Sequence, residues 1–199
     1  MVDPCSPDAL SPALADTLPA GAPQYMAPEQ IPARHSTPGR RATISLVVIH
    51  TTENDCKPGT ARAVARYFAT PPAPQASAHY VVDAGEIVQC VPEADEAWAA
   101  PGANWQGVHV EFVGRATWSA EQWATADVEA MLGLAAVLVA DICRRRAIPV
   151  AKLDAAAVRG GTSGLCGHVD VNHAFHHGNH WDPGPGFPWE KFLALVASS

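Results

Sequence analysis

Five of the nine histidines lie between positions 168 and 180, in HVDVNHAFHHGNH, and the stretch closes on Trp181, Asp182 and the turn-forming PGPG. Imidazole and carboxylate are side chains that a tetrahedral zinc ion takes as ligands, so this density marks a candidate metal site. A catalytic zinc needs three protein ligands and a fourth position open to water, and the ligands must converge from separate elements. His50 supplies the distant ligand, since it stands where the apolar run ISLVVI (44–49) gives way to polar TTEND. A strand end fixes the Cα while the following loop lets solvent in. The expected ligand set is His50, His168 and Asp182. The pairs His173/His177 and His176/His180 are the alternative, because i, i+4 histidines on a helix could bind zinc without His50. Gly178, Asn179 and the following Trp-Asp-Pro-Gly argue against a long helix there. Asp170, two residues after His168, is either a carboxylate that orients an imidazole or a simple cap.

Hydrolysis at such a centre also needs a group that takes a proton from water and delivers it to the leaving atom. Glu111 alternates with Val110 and Phe112 in GVHVEFVG, so it faces away from those apolar neighbours. Glu53 is the rival base, expected in the exposed loop beyond the first strand. His109 shares the face of Glu111 without any pattern that demands a role for it.

These residues need elements to hold them. Residues 44–50 read as a strand, 60–68 (TARAVARYF) as a short helix, 78–82 and 86–91 as a hairpin around Asp83-Ala84-Gly85, where glycine permits positive φ, and 107–113 as a further strand. Ser119 and Gln122 form a capping box. After it Val128, Met131, Leu132, Ala135, Leu138, Val139 and Ile142 follow the i, i+3, i+4 rule to a basic end at Arg144–Arg146. Residues 189–197 close the chain as a helix. The pattern predicts an α/β fold, a mixed central sheet flanked by helices. Residues 1–24 hold five prolines and no aromatic residue, which predicts a flexible leader or linker before a domain at 25–199. Tyr25, Met26 and Ile31 are the expected anchors of the segment that follows.

The chain has 199 residues, 48% of them apolar and 17% charged, enough for one domain with a single core. A formal charge of -7 argues against nucleic acid as a partner. Five cysteines at irregular spacing point to free thiols rather than a disulfide framework or a CxxC site. No run approaches the ~20 apolar residues of a membrane span. The first basic residue is Arg34, so the positively charged start of a secretory signal is missing.

VVIHTTE (47–53), SAHYVVD (77–83), the glutamate in GVHVEFVG (107–114), Gly167-His168 and DPGPGF (182–187) together resemble the type-2 N-acetylmuramoyl-L-alanine amidases, which include phage endolysins, recycling enzymes and peptidoglycan recognition proteins. AWAAPGAN (97–104) and HVDVNHAF (168–175) are most similar to endolysins from phages of actinobacteria, and ten arginines against three lysines in an Ala-rich chain agree with GC-rich coding. The resemblance covers roughly residues 25–197. It implies a zinc-dependent hydrolase of peptidoglycan that acts as a monomer, with Glu111 as general acid/base. Family members often carry a lysine two residues before the aspartate ligand to stabilise the oxyanion. His180 occupies that place here. The family's catalytic tyrosine falls at Ala78, so that role is absent. Substrate contacts are expected from His79, Trp98, Asn104, Trp105 and Trp181, since aromatic faces stack on sugars and amides read peptide groups. An endolysin would stay in the host cytoplasm until release through a holin pore. The same resemblance leaves two other readings, a non-catalytic peptidoglycan-binding module and a cytoplasmic muropeptide-recycling amidase.

Overall fold

The computed structural model describes residues 28–199. The expected leader at 1–24 and the anchors Tyr25 and Met26 lie outside the described residues. Ile31 packs, partly buried, against the core.

A six-stranded sheet forms the centre. Its strands are β1 (Glu29–Gln30), β3 (Leu46–Thr51), β4 (Tyr80–Val82), β5 (Ile87–Gln89), β7 (Gly107–Phe112) and β8 (Gly164–Gly167), in the order β1-β5-β4-β7-β3-β8. Within this sheet, among the described residues, only the β4/β5 pairing is antiparallel. Two short strands, β2 (Ser36–Thr37) and β6 (Glu96–Ala97), pair separately. The expected mixed α/β architecture is therefore present. All six residues of β3 are buried, because the strand lies between β7 and β8 with cover on both faces. His50 lies in β3, as the 44–50 reading expected, and pairing with β7 continues one residue further, through Thr51.

Two clusters divide the sheet faces. Val47, Ile49, Val108, Val110 and Phe112 pack with α1 (Thr60–Ala69), α2 (Ala126–Arg146) and α5 (Trp189–Ser198). Leu46, Val48 and Cys166 pack on the other face with α3 (Ala155–Arg159) and α4 (His168–Phe175). By strand alternation the second face also carries His50, His109 and Glu111.

The seven apolar residues expected along the long helix are all buried in α2. The Ser119/Gln122 box exists, with Ser119 N donating to Gln122 Oε1 at 2.9 Å, but it closes a 3-10 turn at Gln122–Ala124 ahead of α2. Thr125 is the N-cap of α2 itself. The expected hairpin is present, but its turn does not use the freedom of glycine. Gly85 does not take a positive φ; instead Asp83 Oδ1 accepts from the amides of Gly85 and Glu86, while Oδ2 accepts from Ala61 at the start of α1. One buried carboxylate thus closes a turn and caps a helix.

Strand β8 passes directly into α4, so His168 is the first helical residue beyond the sheet. Asp170 Oδ2 accepts from Gly167 N at 2.7 Å and from Lys152 Nζ at 2.6 Å. It therefore caps α4, and no imidazole is among its hydrogen-bond partners in the described residues. Arg159 closes the other end of α4 by donating to the carbonyls of His173 and Ala174. Cys56, Cys90, Cys143 and Cys166 are buried free thiols. Among the described residues no helix is long and apolar enough to cross a membrane.

Candidate metal centre and active site

The C-terminal ends of β3 and β8 lie side by side, and each delivers one histidine. His50 points from β3, and His168 from the start of α4, so their Nδ1 atoms come within 3.1 Å. The loop after α4 returns to this point because Val169 N donates to the Asp182 carbonyl at 2.9 Å. Glycine is needed at 167, where a Cβ would meet Pro183 at 2.6 Å. Asp182 then places Oδ2 at 3.4 Å from His50 Nδ1 and Oδ1 at 3.3 Å from His168 Nδ1. The sequence-expected ligands thus converge from positions 50, 168 and 182, all three buried.

The spacing tests whether this triad suits zinc. Ligand bonds of roughly 2.0–2.1 Å in a tetrahedron put donor atoms about 3.3 Å apart. The two Nδ1 atoms, 3.1 Å apart, and their 3.3 and 3.4 Å approaches to different oxygens of Asp182 lie near that value, one atom from each residue falls within 4.8 Å of the others, and the donor set of two imidazoles and one carboxylate is one zinc accepts. Burial works against a charge on Asp182, but hydrogen bonds from His168 and His50 outweigh it and hold the carboxyl far below its ordinary pKa. His168 is held below the usual histidine range, chiefly by burial. An ionised carboxylate beside a neutral imidazole is what a cation requires, and a cation bound here would take the place of the protons between these groups.

Glu111 stands across from His50 in the register of β7 and β3. Its Oε2 is buried without a hydrogen-bond partner among the described residues. Burial, followed by the nearby charges of Asp182 and Glu53, pushes its pKa up to about 8. Glu53 is exposed and adopts φ 60, with Oε1 accepting from Thr51 Oγ1 and Ala116 N. One carboxylate oxygen of Glu53 is therefore engaged in holding two loops together.

His180 lies over His168, with ring centroids 4.2 Å apart and planes 14° apart, and its Nδ1 is 3.6 Å from Asp182 Oδ1. A cleft of about 540 Å³ opens above the triad, lined by Glu111, Glu53, His180, Trp98 and Trp181 together with residues of the 75–77 and 99–101 segments. Of the five expected substrate contacts, Trp98 and Trp181 line this cleft. His79 is fully buried beneath it. Asn104 spends its side-chain oxygen on the amides of Ala99 and Ala100, and Trp105 lies under the Arg41 guanidinium. His173, His176 and His177 are exposed; α4 ends at Phe175, so neither i, i+4 pair forms on a helix. Sequence reasoning missed the contact between His109 Nδ1 and His50 Nε2, 3.0 Å apart. Alternation along β7 gave the face of His109, but nothing local gave its partner.

The family model described as N-acetylmuramoyl-L-alanine amidase matches residues 40–185, a span that holds His50, Glu111, His168, His180 and Asp182. The chain belongs to this amidase family. N-acetylmuramoyl-L-alanine amidase A from Achromobacter lyticus is 31% identical over 167 residues, covering 76% of this chain and 82% of that protein. Among solved structures, a mutant endolysin from Bacillus subtilis aligns at a TM-score of 0.60 with 19% identity, over 86% of this chain and 99% of that one. The Staphylococcus aureus hydrolase AmiA in complex with its ligand aligns at 0.64 with 16% identity, over 86% and 82%. These two structures share the amidase fold, and the family's activity is hydrolysis of the N-acetylmuramoyl-L-alanine amide.

Proposed function

We propose that this chain is a zinc-dependent amidase that cuts the amide between the muramic acid lactyl group and L-alanine of peptidoglycan, and that it serves as the catalytic domain of a phage endolysin. The observation that carries the reading is the buried triad His50, His168 and Asp182, whose two Nδ1 atoms lie 3.1 Å apart and 3.3–3.4 Å from the Asp182 carboxylate, beside the Glu111 oxygen that has no hydrogen-bond partner among the described residues.

A zinc ion held by His50, His168 and Asp182 would polarise the scissile carbonyl and bring the pKa of a water near 7. The protein's own groups do the rest. Glu111 takes the proton of the attacking water and returns it to the leaving amine of L-alanine. His180, at the edge of the triad, donates an N–H to the oxyanion of the tetrahedral intermediate. Trp98 and Trp181 offer aromatic faces to the muramyl sugar and the stem peptide. The phrases shared with actinobacterial phage lysins support the endolysin role, in which the enzyme waits in the host cytoplasm for a holin.

Mass spectrometry of peptidoglycan digested by the purified chain tests this. New L-alanine amino termini with intact glycan are expected. A new reducing sugar end, or a cut inside the stem, overturns it.

A further inference from the structure

His79 and His109 take no part in the chemistry above, yet both rings are fully buried in the layer beneath the triad. His50 turns Nδ1 toward His168 and Asp182, which leaves its Nε2 facing His109 Nδ1 at 3.0 Å. One proton is shared across that contact, and its owner decides what His50 can do. If His109 owned it, a neutral His50 would carry its own ring proton on Nδ1, aimed into the donor set, and could not ligate there. If His50 Nε2 owns it, Nδ1 presents a bare lone pair. His109 then accepts with Nδ1 and keeps its own proton on Nε2.

The surroundings hold His109 in place for this. Its backbone N–H donates to His79 Nδ1 at 3.0 Å, its carbonyl accepts from His79 N at 3.0 Å, and the two rings stack 5.6 Å apart at 15°. Gly107 leaves room for the ring, since a Cβ there would come within 2.9 Å of His109 Nε2. That Nε2 has no hydrogen-bond partner among the described residues. Packing alone would be served by an apolar ring of similar size, without burying an orphan polar atom. The cost is offset only if the other nitrogen is used.

We infer that His109 is a positioning residue for the metal centre: its Nδ1 accepts the Nε2–H of His50, fixing the tautomer and ring direction that present His50 Nδ1 to zinc, while His79 braces His109. The inference rests on the zinc reading of the triad, and its test separates the two. Outer partners of this kind typically change metal affinity by about 10- to 100-fold.

Zinc affinity is measured by competition with a chromophoric chelator for the unaltered protein, His109→Phe and His109→Asn. The phenyl ring keeps the volume and removes the acceptor; the amide oxygen of asparagine can take the place of Nδ1. A loss of roughly 10- to 100-fold for His109→Phe, with most of it recovered in His109→Asn, is the expected result. Nitrogen-15 NMR of the zinc-loaded, unaltered protein should show His50 protonated on Nε2 and His109 accepting on Nδ1, and it decides the matter if a variant fails to fold. Unchanged affinity in a folded His109→Phe, or a His50 without a proton on Nε2, overturns the relay and leaves the zinc site standing. Failure of the unaltered protein to bind zinc overturns both.

Discussion

Glu111 and His50 are register partners on adjacent parallel strands, so the proposed base and a proposed ligand project from the same sheet face one strand apart. That rigid placement separates their roles experimentally. Glu111→Gln keeps the shape of the side chain and removes the proton acceptor, while the triad remains intact. Turnover on peptidoglycan should fall by the ~10²- to 10⁴-fold typical of a lost general base, with zinc content unchanged. Near-parental turnover would move the role to Glu53, which also lines the cleft.

The same carboxylate makes a pH-dependent stability prediction. Its pKa in the folded, metal-free chain is raised to about 8 from an ordinary 4.5, so folding favours the protonated form. The sign follows from linkage: below pH 4.5 the group is neutral in both states and neither helps nor harms. As pH rises toward 8 the unfolded chain ionises first, stability is lost, and above 8 the full loss is reached. Metal-free Glu111→Gln should therefore melt at a higher temperature than the parent at pH 8–9 and at the same temperature near pH 4. Equal melting temperatures at both pH values would show that Glu111 is not strained by its surroundings. Zinc should narrow the difference, because a nearby cation favours the charged carboxylate.

Metal analysis distinguishes the buried triad from the exposed histidines. His50→Ala, His168→Ala and Asp182→Asn each leave two donors and should abolish stoichiometric zinc. His176→Ala and His177→Ala alter exposed side chains beyond α4 and should leave zinc content near that of the parent. The reverse order would transfer the site to the histidine-rich loop.

How far these features were legible depends on whether their signal is local. Helix α2 announced itself through seven apolar residues at helical spacing, and β3 through an unbroken apolar run. His50 and Glu111 were readable from their places in strands. Strand β8 has two glycines among four residues and no alternation, and α3 is a five-residue helix of Ala, Val and Arg, so neither carried a period to detect. The start of α4 at His168 was hidden for a related reason: its cap comes from Asp170 and not from a side chain at position 167. Trp98 and Trp105 were indistinguishable in sequence. Only the fold shows that one lines the cleft and the other lies beneath Arg41. The His50–His109 contact joins residues 59 positions apart, and strand alternation can assign a face but not a partner across it.

The last prediction concerns His180, which stands where related amidases often carry lysine. Its ring lies parallel to His168, and its main-chain carbonyl accepts from Asn172 Nδ2 at 3.0 Å, so the loop holds it at the rim of the triad although the side chain is 61% exposed. If a cation at this position stabilises the oxyanion, a lysine ammonium there would supply it and keep its charge to about pH 10. His180→Lys should then remain active and extend the alkaline range. If neutral N–H donation is enough, the lysine variant should show no such extension. His180→Ala should lose most of its turnover in either case. Because the ring also covers His168, zinc content must be measured alongside: retained zinc with lost turnover assigns His180 to the oxyanion, and lost zinc assigns it to shielding the ligand. An alanine variant with the parent's rate would remove His180 from the mechanism altogether.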